Sequence, residues 1–111
     1  MKQLINDGYE LDAEIPPQNG YDGFSIRYRP ALPEAVFDYY EKMGRSQTGK
    51  EKIKIAIDLF KTYIRSWTII DDKDVGLPVS EENIRKLPHC HYNILVDLIT
   101  GYRSWNADAK N

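Results

Sequence analysis

Three short stretches of this 111-residue chain carry residue types that could do chemistry, and each lacks a part that its chemistry requires. Gly44-Arg45-Ser46-Gln47-Thr48-Gly49-Lys50 follows the phosphate-loop pattern as far as the lysine. The next residue is Glu51, where a hydroxyl must hold magnesium, and a carboxylate there would repel phosphates. Such a loop must also follow a strand, whereas residues 36–43 have helical periodicity. Thr48 and Glu51 fit better as a capping box that satisfies two otherwise unpaired amides at a helix start.

Asp71, Gly76 and Glu82 stand at the first, sixth and twelfth positions of a calcium loop. Lys73 and Val75 occupy the third and fifth, so two oxygen ligands are missing and one is replaced by a cation. An acidic turn is the simpler reading. His89-Cys90-His91 has ligand chemistry, but neighbours on a helix point about 100° apart and cannot close on one ion. No second cysteine or distant histidine completes a tetrahedron. The same geometry argues against a Cys90/His nucleophilic pair. We therefore expect no catalytic residue, metal or cofactor, and a binding or assembly protein rather than an enzyme.

The totals agree with that expectation. A net charge of -2, with basic residues scattered among acids, argues against nucleic acid and anionic membrane surfaces. The single cysteine excludes an intrachain disulfide and suits a reducing compartment. The first residues lack the apolar region of a secretory signal, and no apolar run is long enough to span a membrane. One cytoplasmic domain over residues 1–111 is expected.

The elements that must position any site follow from periodicity. Tyr9, Leu11, Ala13 and Ile15 alternate with Glu10, Asp12 and Glu14, and Phe24, Ile26 and Tyr28 alternate with Ser25, Arg27 and Arg29. Pairing Ile15 with Phe24 sets Asp12 against Arg27 and Glu10 against Arg29, so register and charge agree. Pro33 and Glu34 open a helix whose stripe is Val36, Tyr39, Tyr40 and Met43 and whose stop is Gly44.

Residues 48–66 predict the longest helix, with Ile53, Ala56, Ile57, Phe60, Ile64 and Trp67 on one stripe. From Ser66 the composition turns β-branched and aromatic, and Asp71-Asp72 ends the run. Ser80 caps a short helix, and Leu87-Pro88 launches the last one, with His91, Leu95, Leu98, Ile99 and Tyr102 on its stripe. Residues 104–111 are expected to fray. The fold class is α+β, mainly α: an N-terminal hairpin followed by a bundle of about four helices.

Residues 67–88 resemble the C-terminal half of tail assembly chaperones of long-tailed bacteriophages and prophages. In that family a helix ends in a tryptophan, here Trp67, and an acidic turn leads to a Leu-Pro step, here Leu77-Pro78. A Ser80-Glu81-Glu82 cap and a second Leu-Pro, Leu87-Pro88, follow. Ile26-Arg27-Tyr28-Arg29-Pro30 before a helix is similar to the family's opening. The chain departs from it at Val75 and at His89-Cys90-His91, where small or aliphatic residues are expected.

The resemblance implies a cytoplasmic protein of the infected host that binds the helical tape measure protein during tail assembly. It hands that client to tail-tube protein, and a frameshift-extended form often exists. Alternatives are a connector or tail completion protein, or a generic interaction domain. Trp67, Leu77, Pro78, Leu87 and Pro88 are expected structural anchors. Phe37, Ile55 and Leu59 fall outside the main stripes, either buried by wrapping helices or lining a client or self-association surface.

Overall fold

Alternation builds the first two strands of the computed structural model, which describes residues 8–101. β1 (Leu11–Ile15) and β2 (Phe24–Tyr28) pair antiparallel, with Ile15 opposite Phe24 and Asp12 opposite Arg27, the register that charge and alternation predict. Ile15, Phe24, Ile26 and Tyr28 are buried on one face. The ion pairing differs in one respect. Glu10 forms its ion pairs with Arg27 at 3.0 Å and Arg65 at 3.6 Å, and Asp12 lies 3.8 Å from Arg27. These exposed pairs mark register more than they stabilise it.

Between the strands, Asn19 and Gly20 both take positive φ and close a tight turn through paired Gln18 and Tyr21 amides. Gly23 lies so close to the Ile15 carbonyl that a Cβ there would collide with backbone. The loop is therefore pinned at both ends, and it fixes where Tyr21 and Phe24 stand.

α1 (Pro33–Arg45) starts on its proline with Glu34 in the first turn. It runs through Gly44, the expected stop, and ends where the Ser46 hydroxyl donates to the Met43 carbonyl. Tyr39 is buried, Val36 and Met43 are half-buried, and Tyr40 is exposed rather than part of the core stripe.

α2 (Gly49–Tyr63) starts at the expected cap: Thr48 Oγ1 accepts from the Glu51 amide at 3.1 Å. The Glu51 carboxylate accepts from the Gln47 amide, one residue outside the usual box. Ala56, Ile57, Leu59 and Phe60 are buried, whereas Ile53 is largely exposed.

The expected helix over 48–66 is too long. At Ile64 the backbone becomes extended, and the chain passes without a loop into β3 (Ile64–Trp67). β3 pairs antiparallel with β2, giving a three-stranded sheet in the order β1-β2-β3 rather than a hairpin alone. Ile26 faces Trp67 and Tyr28 faces Ile64, with an irregularity that leaves Arg65 extra on β3. This bulge turns Ile64 and Trp67 to the same side.

α3 (Glu81–Arg85) is capped by the Ser80 hydroxyl, and α4 (His89–Thr100) follows Pro88 and ends at Gly101 in the left-handed conformation. Each expected anchor takes part in a local hydrogen bond along this segment. Trp67 Nε1 donates to the Leu77 carbonyl at 2.6 Å, the Asn83 amide donates to the Pro78 carbonyl, and Leu87 N donates to the Ile84 carbonyl. Pro88 O accepts from His91 N.

α2 packs against α1, α3 and α4, and sheet and helices share one apolar cluster that includes Ile26, Ile57, Phe60, Ile84, Leu95 and Ile99. On the surface, Glu81 holds Lys54, Lys61 and Arg85. Hydrogen bonds from Arg85 and Lys54 pull its carboxyl down to about 2, so this tie between α2 and α3 is lost only in strong acid. The expected fraying segment 104–111 and Tyr102 lie outside the described residues.

Candidate functional site

Two of the three stretches with chemical potential have structural jobs. Glu51 caps α2. The Asp71 carboxylate accepts from the amides of Lys73 and Val75, which closes the acidic turn. His89 and His91 diverge: His89 is exposed and stacks on Tyr92, while His91 is buried and meets Phe24 edge-on at 5.1 Å and Tyr21 at 6.0 Å. Among the described residues no group of three His, Cys, Asp or Glu side chains is placed to share a metal ion.

The three apolar residues named as partner-binding candidates have different fates. Leu59 is 7% exposed and belongs to the core, so it leaves the surface set as a correction. Ile55 is half-buried in the groove between α2 and α1, beside Tyr39, Lys42 and Asp58. Phe37 is 73% exposed, and its side of α1 faces neither the core nor that groove.

Pro33, Phe37, Tyr40 and Gly44 follow i, i+4, i+7, i+11 spacing, and all four are exposed. They make a second stripe along the outer side of α1, opposite the groove residues Ala35, Asp38 and Lys42. The Arg45–Glu41 pair lies to one side of it. Chemically this is an exposed apolar strip with charge along one edge and the core-facing residues Val36, Tyr39 and Met43 along the other, suited to a helix laid alongside it. Sequence reasoning assigned Tyr40 to the core and so missed the stripe, although its period was already present.

A second concave site lies where three segments meet. Tyr21, Phe24, Ile69, Ile70, Leu87 and His91 line a cavity of about 360 Å³. His91 is 3% exposed, and among the described residues neither ring nitrogen has a hydrogen-bond partner. Burial lowers its pKa from 6.5, which keeps the imidazole neutral.

His91→Phe is therefore expected to stabilise the domain by about 1–2 kcal/mol, because an apolar ring removes two unsatisfied polar atoms. The pH dependence follows. Unfolded His91 takes a proton near pH 6.5 and the folded ring only at lower pH. Parent stability is thus complete above that value and falls as pH drops below it. Denaturation midpoints of parent and variant, followed from pH 8 to 5, should diverge on the acid side.

Comparison with protein-family models, curated proteins and solved structures finds no match. Function must be argued from these two surfaces.

Proposed function

We propose that this protein is a non-catalytic assembly factor that holds an apolar helical client through the outer stripe of α1, as a tail assembly chaperone holds a tape measure protein. The observation that carries the reading is Phe37, 73% exposed on an ordered helix between exposed Pro33 and Tyr40. Leaving a phenyl group in water forfeits about 1.5–3 kcal/mol of available burial, and a partner helix recovers it. One such strip binds weakly. Hold on a long client then comes from many copies, and release is easy when tube subunits compete. The assigned place of action is the host bacterial cytoplasm. Among the described residues no helix is long and apolar enough to cross a membrane.

The order of Trp67, the acidic turn, Leu77-Pro78, the Ser80 cap and Leu87-Pro88 supports the family reading. Trp67 departs from it, since it closes a strand rather than a helix. Co-expression with the tape measure protein of the same phage or prophage tests the proposal. The parent should keep the client soluble, and Phe37→Asp should lose that effect while its own thermal transition stays within a few degrees, as for an exposed site. A folded Phe37→Asp variant that still solubilises the client would overturn the assigned face.

A further inference from the structure

We propose that the outer edge of β1 docks an extended segment of a partner protein that alternates basic and apolar residues and joins the sheet as a further strand. The site is independent of the α1 stripe, and its partner is not the helical client. β1 is an end strand, and among the described residues no segment pairs with its outer side. Backbone groups of successive strand residues point to opposite sides. Ser25 turns its backbone toward β3, where its amide donates to the Thr68 hydroxyl and its carbonyl accepts from the Thr68 amide. Phe24 and Ile26 therefore bond toward β1, to Ile15 and Ala13, and the N–H and C=O groups of Asp12 and Glu14 point outward. These donors and acceptors are what an added strand takes up. Pro16 has no N–H to offer at the next outward position, so the ladder stops at Glu14.

Charge selects the partner. Glu10, Asp12 and Glu14 alternate along the exposed face of this strand. The Asp12 side chain is 77% exposed and shares Arg27 with Glu10, while Glu14 accepts from the neutral Ser25 hydroxyl at 2.7 Å. On the paired side of β1, Arg27 of β2 supplies the complement. A strand on the open side with lysine or arginine at alternate positions repeats that match, and its apolar residues fall beside exposed Leu11 and half-buried Ala13. A second copy does not fit. Any pairing of β1 with itself that keeps both apolar faces over the core sets acids opposite acids, because all three acids fall at even positions.

Amide hydrogen exchange of the full chain, read by two-dimensional NMR with an added peptide, tests the assignment. The probe alternates arginine with valine, and its control carries glutamate in place of each arginine. In the free protein the Asp12 and Glu14 amides should exchange quickly, and those of Ala13 and Ile15, bonded to β2, slowly. The arginine peptide should slow Asp12 and Glu14 and leave α1 unchanged, and the glutamate peptide should bind about tenfold more weakly. Asp12→Lys combined with Glu14→Lys should reverse that preference, with a thermal transition within a few degrees of the parent's because both sites are exposed. Phe37→Asp should leave peptide binding unchanged. Equal affinity of the parent for the two peptides, or arginine-peptide binding that leaves the Asp12 and Glu14 amides fast, would overturn the proposal. Slowing of these two amides as the protein alone is concentrated would also overturn it, by giving the edge to a second copy.

Discussion

Leu59→Asp is expected to leave the domain unfolded at 25 °C. Leu59 is 7% exposed on α2, the helix that packs against the other three. Removing its side chain costs about 2–5 kcal/mol through lost burial and the cavity left behind. Placing a carboxylate there adds several more, because the group must either stay charged in a largely apolar site or take up a proton. The sum reaches the whole stability of an ordinary domain, about 5–15 kcal/mol. Far-ultraviolet circular dichroism should show the helical signal lost, whereas Phe37→Asp keeps it. A cooperative transition retained by Leu59→Asp would remove Leu59 from the core.

Trp67→Ala is expected to cost about 3–4 kcal/mol. The ring is only half-buried, which moderates the usual penalty for an emptied aromatic site, but its indole N–H also ties β3 to the Leu77 carbonyl. Both contributions separate in Trp67→Phe. That variant restores most of the packing and should recover all but about 1 kcal/mol, the value of the lost hydrogen bond. Urea midpoints for the three proteins measure the difference. A Trp67→Ala midpoint equal to the parent's would show that neither the packing nor the tie to Leu77 stabilises the fold.

The two β3 residues that misled sequence reasoning explain its limits. Ile64 and Trp67 lie three apart, the spacing of a helical stripe, yet they share a side because Arg65 is an extra residue in a strand. A bulge imitates helical spacing over so short a stretch. The change to β-branched and aromatic residues from Ser66 was the competing signal, but it was not read as a strand, and only Ser66 and Trp67 of that run belong to β3. By contrast the β1–β2 register was legible, since period-two burial and the Asp12–Arg27 match fixed the same pairing twice.

Helix starts at Pro33, Thr48 and Ser80 were legible for the same reason: capping is local chemistry. Burial was less so. Leu59 and Tyr40 exchanged roles because which flank of α2 and α1 is covered depends on where the other helices and the sheet pack. His91 drew notice for its neighbours in sequence, but the cavity around it joins residues of segments far apart along the chain and has no linear signature.

Hydrogen–deuterium exchange of the full chain, alone and with the tape measure protein, addresses the central claim most directly. The account predicts new protection confined to residues 33–45, with the amides of β1, β2 and β3 unchanged. Protection at residues 21–24 and 87–91 with α1 unaffected, or no protection anywhere under conditions where the client stays soluble, would contradict it.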